Sequence, residues 1–280
     1  LNDLSSSQRR ATALRANQQC YDSLAAAHAP LCKPASDAEL ANPLRTIDPL
    51  GWLGPSIAGR AVLCLAAGGG RQSTLYASAG ADVTVVDLSP AMLELDRQAA
   101  RERKLSIRAI QASMDQLDML NASEFDIVIH PVSTCYLPDV GPVFHEVARV
   151  LRPKGLYISQ HKSPVSLQAS CHVDASQRFS LEQTYYREDP IPVLNDSNAA
   201  GRRLRERGAV EYLHRFEQLV GGICRAGMVV EDLIEPVHAD DIAETSSFGH
   251  RAKYIAPYLR IKARKLSSST TRSQLLLLPL

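Results

Sequence analysis

The feature that most constrains this chain is an apolar run ending in three glycines, Val62-Leu63-Cys64-Leu65-Ala66-Ala67-Gly68-Gly69-Gly70-Arg71-Gln72-Ser73. An uninterrupted apolar stretch, a glycine turn and a segment of helical period describe a buried strand that bends sharply into a helix. Glycines without Cβ atoms let a ligand lie against the turn, and the first turn of the helix offers N–H groups that have no intrahelical partner. A second apolar run, VTVVD, ends on Asp87. In a doubly wound sheet the second strand delivers its last residue beside the first turn, where a carboxylate can accept both hydroxyl protons of a ribose. The two features, in this order and at this spacing, point to an adenosine-containing cofactor.

The rest of the chain supports that sheet. From residue 60 onward, short apolar runs alternate with helical stretches: a helix over 72–79, VTVVD, a helix over 90–103, SIRAIQA, FDIVIHP, a helix over 143–151, and GLYISQH. Strands that are nearly all apolar and spaced by helices belong in a parallel sheet covered on both faces, and right-handed crossovers make it doubly wound. Ahead of it, Ser5-Ser6-Ser7 opens a helix that carries Leu14, Tyr21 and Leu24 on one face, followed by a proline-containing connection over 29–50. Residues 163–207 break the rhythm. There RFSLEQTYYRE alternates like a strand and DPIPVLNDSN is rich in turn formers, which reads as an insertion over the carboxyl edge of the sheet. Val210, Leu213, Phe216, Val220 and Ile223 recur at helical steps and predict a helix stopped by Gly227, before two closing strands, one of them antiparallel. The predicted division is an N-terminal helical segment with a lid loop (1–58), a cofactor-binding core (59–162), an inserted cap (163–207), a C-terminal helix with the final strands (208–265) and a disordered tail (266–280). The fold class is α/β, a doubly wound sheet of seven mostly parallel strands.

Composition excludes more than it assigns. With 31 Lys+Arg against 30 Asp+Glu the formal charge is +1, so no net field recruits polyanions, and neither a nucleic-acid nor a membrane partner is implied. The six cysteines are scattered without metal-ligand spacing, so no metal is expected, and free thiols suit a reducing cytoplasm. The polar opening LNDLSSSQRR lacks the apolar run of a signal peptide, and Leu275 to Leu278 are too short to span a bilayer.

Four segments in succession carry a resemblance: VLCLAAGGGRQS, VTVVDLSPAMLELD, IQASMDQLD, and FDIVIHPVSTCYLPDVGPVFHEVARVLRPKGLYISQH. In this order they resemble the motifs of class I S-adenosylmethionine-dependent methyltransferases, particularly the small-molecule branch that includes ubiquinone-biosynthesis-like enzymes. The likeness covers about residues 59–162. It implies a Rossmann-like methyltransferase sheet, S-adenosylmethionine as cofactor, and methyl transfer to an O, N or C nucleophile of a small organic acceptor. It further implies that Ala66, Ala67, Gly68, Gly69, Gly70 and Gln72 form the turn beneath the methionine part of the cofactor and that Asp87 holds the ribose. Leu88 and Met92 would pack near ribose and adenine, Ser113 and Met114 beside the adenine edge, and His130 and Pro131 along the methyl-transfer face. The family usually has an acidic residue where Cys64 stands, a glycine at Ala66 and commonly an Asp at Ser113, with Asp115 a substitute for the last.

Methyl transfer from a sulfonium is chiefly alignment and desolvation, so a catalytic base is optional. His130 is the candidate base, against a structural role at a strand end. Tyr136, His161 and Arg251 are candidate acceptor contacts, and Trp52, between glycines, is a candidate lid residue. Two rival readings remain. Cys64 and Ala66 motivate a protein that binds S-adenosylmethionine or S-adenosylhomocysteine without turnover. Tyr258 and Lys262 have the spacing of the pair used by NAD(P)-dependent oxidoreductases, although Ser73 stands where the dinucleotide fingerprint wants a third glycine.

Overall fold

The structure, a computed structural model, describes residues 5–193 and 203–267. Residues 194–202 of the predicted cap and 268–280 of the predicted tail lie outside the described residues. Helix α1 (Ser6–Ala26) starts on Ser5, whose hydroxyl accepts from the N–H of Gln8 while the Gln8 side chain accepts from the N–H of Ser5. The connection predicted over 29–50 folds into a 3-10 turn (Pro30–Cys32) and two short helices, α2 (Asp37–Ala41) and α3 (Pro43–Ile47).

The sheet region follows as β1 (Ala61–Leu65), α4 (Arg71–Ser78), β2 (Asp82–Asp87), α5 (Pro90–Arg103), β3 (Ile107–Gln111), β4 (Phe125–His130), α6 (Gly141–Val150) and β5 (Leu151–Lys162). After the short α7 (Pro164–Gln168), helix α8 (Phe216–Arg225), β6 (Met228–Ile234), α9 (Phe248–Ala252) and β7 (Tyr258–Lys265) complete it. Among the described residues the sheet has seven strands in the order β3-β2-β1-β4-β5-β7-β6. The first five strands pair in parallel, and β7 runs antiparallel to both β5 and β6. The chain leaves β1 toward β2 and β3, then places β4 on the opposite flank of β1. Such a reversal opens a crevice at the carboxyl ends of the two central strands.

Burial on both faces explains why the strands read as continuous apolar runs. Leu63 and Leu65 enter one core with Val128, Phe144, Tyr157 and Leu219, while Val62 and Cys64 enter the other with Tyr76, Val83, Val85 and Ile127. The two-residue period of a strand sends alternate side chains to alternate layers.

Two predicted elements differ. The helix expected to include Val210 and Leu213 begins only at Phe216. Upstream, backbone partners from elsewhere replace the helical ones: Val210 N–H donates to Asn17 Oδ1, Tyr212 N–H to Cys135 O, and the Glu211 carbonyl accepts from Ile191 N–H. Leu213 keeps its predicted burial, but beside Cys20 and Cys135 rather than on a helix face. The strand-like alternation of RFSLEQTYYRE yields a single bridge, Ala169 to Leu181, with Leu181 and Tyr186 exposed.

The bend after β1 is where glycine is required. Gly70 has φ +85°, and a Cβ there would lie 3.0 Å from Leu95 O and 3.1 Å from the Ala99 methyl. Gly70→Ala is expected to destabilise the fold by about 2 kcal/mol or more, the sum of left-handed strain and crowding against α5. Urea denaturation checks it, and an unchanged midpoint would contradict the placement of the turn.

Candidate active site

The crevice is a cleft of about 390 Å³. Ala66, Ala67 and Gly68 line it from the end of β1, Asp87, Leu88 and Ser89 from β2, Ser113 and Met114 from β3, and Pro131 and Ser133 from β4. Helix α1 crosses the opening with Leu14, Asn17, Gln18 and Tyr21, and Tyr136, Leu137, Gln160 and Glu206 form the remaining wall. Arg71 and Gln72 enter from the start of α4.

The turn and the carboxylate meet. Gly68 N–H donates to Asp87 Oδ2 at 2.9 Å and Ser89 N–H donates to Oδ1 at 2.9 Å. Burial raises the Asp87 pKa, and these backbone donors counter it by favouring the charged form. The absence of a Cβ on Gly68 is what allows the contact, since one would lie 2.7 Å from Met92 Cβ and 2.9 Å from Asp87 Cγ.

Gly69 and Gly70 are placed differently from the rest of the predicted turn. Their N–H groups point to a second buried carboxylate, Asp96 on α5, at 3.0 and 3.1 Å, and the Ser73 hydroxyl donates to the same group. They hold the bend and do not line the cleft. Asp96 escaped the sequence reading although a signal existed. It lies three or four residues from Met92, Leu93, Ala99 and Ala100, which puts an acid on the buried stripe of a helix. Burial pushes its pKa up to about 7 against three donated hydrogen bonds. Cys64, where an acid was customary, is a fully buried core thiol, and Asp96 supplies the buried carboxylate from another element.

Met92 packs under the turn, with Cys32 Sγ at 3.7 Å from its sulfur, and lies behind the cleft wall. The Ser113 hydroxyl donates to Asp115, whose carboxylate is gripped by Arg10 at 2.5 and 2.8 Å. That ion pair leaves Asp115 committed to α1. Arg71 and Glu39, absent from the predicted set, form a bidentate pair with distances of 2.5 and 3.0 Å.

Of the candidate chemical groups, Tyr136 lines the cleft and three others do not. His130 is buried between Tyr157 Oη at 2.8 Å and Ser133 Oγ at 2.6 Å, and borders a separate cavity of about 210 Å³ beyond Pro131. Burial pulls its pKa down to about 3, so it stands as a neutral ring with both nitrogens engaged. His161 is likewise buried, between Thr134 Oγ1 and Ser159 Oγ. Arg251 is 1% exposed, and its guanidinium donates to the carbonyls of Ser166, Ala169 and Ser170 and to the Ser166 hydroxyl. It ties α9 to the segment after α7 and has no free donor face toward the cleft. Trp52 borders the second cavity, with its indole N–H on Asp232, and so does not cover the cofactor cleft. Of the arginine run over 201–207, Arg203 stacks on the Phe248 ring and Arg205 donates to Glu211.

Residues 63–159 match the methyltransferase-domain family. An uncharacterized methyltransferase of Bacillus subtilis, YbaJ, is 34% identical over 187 residues, covering 67% of this chain and 72% of the relative. This chain belongs to the class I S-adenosylmethionine-dependent methyltransferases. The ubiquinone biosynthesis O-methyltransferase of Alkalilimnicola ehrlichii is 30% identical over 137 residues, 48% of this chain and 54% of that one, so the chain spans about half the length of this relative. A solved S-adenosylmethionine-dependent methyltransferase from Mesorhizobium loti shares the fold, with a TM-score of 0.62, 21% identity, and coverage of 81% of this chain and all of the other. The methyltransferase uses S-adenosylmethionine as its cofactor. The oxidoreductase reading falls on the same grounds and on geometry: Tyr258 and Lys262 sit on β7, an antiparallel strand, and not on a helix. Among the described residues, no helix is long and apolar enough to cross a membrane.

The buried imidazoles set a pH signature. Burial lowers His130 to about 3 and His214 to about 4, and holds His161 well below its usual 6.5. The unfolded chain takes up these protons below pH 6.5 and the folded chain does not. The stability that the neutral rings contribute is therefore complete above pH 6.5 and is lost as pH falls toward the folded values. Asp96 has the opposite sign, since its raised folded pKa adds stability as pH falls through 7. Asp87, also raised, has the same sign as Asp96, and three imidazoles outweigh these two carboxylates, so thermal stability should drop between pH 6.5 and 5, measured by melting curves. A melting temperature flat or rising across that window would contradict the neutral assignments.

Proposed function

We propose that the enzyme methylates an O, N or C nucleophile of a small organic acceptor, with the adenosyl group on Asp87 and the acceptor at the Tyr136 and Glu206 end of the cleft. The observation that carries this reading is the convergence of Gly68 and Asp87 at the carboxyl ends of adjacent strands. Asp87 accepts the ribose hydroxyls, Leu88, Ser113 and Met114 flank the adenine, and Ala66 to Gly68 support the methionine portion. Arg71, its guanidinium held by Glu39, borders the same end of the cleft.

When bound, S-adenosylmethionine supplies a sulfonium methyl group. The chain's own contribution is alignment and exclusion of water: α1 and the segment around Glu206 close over a cleft whose walls are mainly apolar and aromatic. Neutral His130, turned into the core, takes no part as a base. A small-molecule acceptor is supported by the limited size of the cleft and by relatives named for O-methyl transfer in ubiquinone biosynthesis. We read residues 163–207 as a cap, since Glu206 reaches the cleft wall from that segment. A cytoplasmic location is supported by free cysteines at 20, 32, 64, 135 and 224.

Asp87→Asn should weaken S-adenosylmethionine binding by about 2 kcal/mol, as expected when hydrogen bonds to a charged acceptor are lost. Calorimetric titration measures it, with melting curves to verify folding. A folded variant of unchanged affinity would remove Asp87 from the ribose.

A further inference from the structure

The wall opposite the glycine turn holds a charge arrangement that methyl transfer by alignment does not require. Lys162, at the end of β5, has a 4% exposed side chain, and donates to Glu211, which is fully buried, and to Glu206 Oε2 at 3.2 Å. Arg205 donates to the other oxygen of Glu211 at 2.5 Å. Tyr136 donates its hydroxyl proton to Glu206 Oε2 at 2.6 Å and accepts that of Tyr21 at 2.7 Å. The two cations and two carboxylates balance, but they are not placed alike. Lys162 and Arg205 stand behind the wall, whereas Glu206, Tyr136 and Tyr21 line the cleft. Arg71, the cation that does line it, is at the glycine turn with its guanidinium on Glu39.

We propose that this wall is an acceptor subsite in which Glu206, held by Lys162 and paired with Tyr136, selects a neutral or cationic acceptor bearing an O–H or N–H group and excludes one that presents a carboxylate or phosphate there. The proposal rests on the reading of the cleft given above. Burial works against the Glu206 carboxylate, and the charge of Lys162 with the hydrogen bond from Tyr136 outweighs it, keeping its pKa below the usual range. An ionised carboxylate orients a donor hydrogen, and with it the lone pair that must face the methyl group. An anionic acceptor would bring a second negative charge to a partly desolvated site whose cations are already engaged, where like charges repel far more strongly than in water. Tyr21 and Tyr136 meet edge to face with centroids 5.5 Å apart and offer aromatic surface beside the carboxylate.

The test is calorimetric binding to the full chain saturated with S-adenosylhomocysteine, using matched probes: catechol against 3,4-dihydroxybenzoate, and tyramine against 4-hydroxyphenylacetate. The wild type should bind the uncharged or cationic member of each pair at least tenfold more tightly. In Glu206→Gln the gap should shrink below threefold, while the affinity for S-adenosylhomocysteine stays unchanged and a cooperative melting curve, at a lowered temperature, shows that the variant is folded. Carboxylate probes that bind as tightly as their partners, a gap that survives Glu206→Gln, or no binding by any probe at millimolar concentration would overturn the proposal. If the variant does not fold, the wild-type comparison decides alone. Failure of S-adenosylhomocysteine itself to bind is a different outcome, which would remove the underlying reading of the cleft.

Discussion

The bend after β1 is held by carboxylates on two sides. Asp87 takes the N–H of Gly68, and Asp96 takes those of Gly69 and Gly70 together with the Ser73 hydroxyl. Three consecutive amides are thereby satisfied by acids from β2 and α5, with the Met92 carbonyl a second acceptor for Gly69 N–H, and the turn gains one fixed shape. The rest of the cleft depends on that shape. It sets where Ala66 to Gly68 face outward, where α4 begins, and where the last residue of β2 meets its neighbour strand. The proximity of Asp87 also helps to raise the pKa of Asp96, so the donated N–H groups are what make two acids tolerable in so small a volume.

Beyond the turn, the molecule separates polar groups by task. The buried histidines, His130, His161 and His214, are hydrogen-bonded struts between β4, β5 and the strand-to-helix loop, and burial keeps them neutral. Charge is concentrated instead where residues 205–211 meet the end of β5, and there Lys162 and Arg205 neutralise Glu206 and Glu211. A reaction that needs alignment more than proton transfer is compatible with this division, in which the imidazoles are turned into the core and Glu206 lines the cleft.

Much of this was legible in the sequence, for a physical reason: the constraints on the parallel sheet are local. Strands buried on both faces must be continuously apolar, so VLCLA, VTVV and FDIVI declared themselves, and α5 was predicted at its observed bounds. Gly68 and Asp87 were legible because their spacing follows from the strand-helix-strand unit. What was missed depends on partners distant in sequence. Val210 and Leu213 have helical spacing, but Asn17 and Cys135 draw the backbone into an extended path. Arg251 read as a candidate acceptor contact because nothing local reveals that the carbonyls of Ser166, Ala169 and Ser170 surround it. Glu206 sat unnoticed in an arginine-rich run, since its role appears only once Lys162 and Tyr136 are brought beside it.

The most direct measurement is a crystal structure of the protein bound to S-adenosylhomocysteine. The account predicts both ribose hydroxyls within hydrogen-bonding distance of the Asp87 carboxylate, the adenine beside Ser113 and Met114, and the sulfur directed toward Tyr136. A nucleoside bound elsewhere, or a ribose facing away from Asp87, would contradict it.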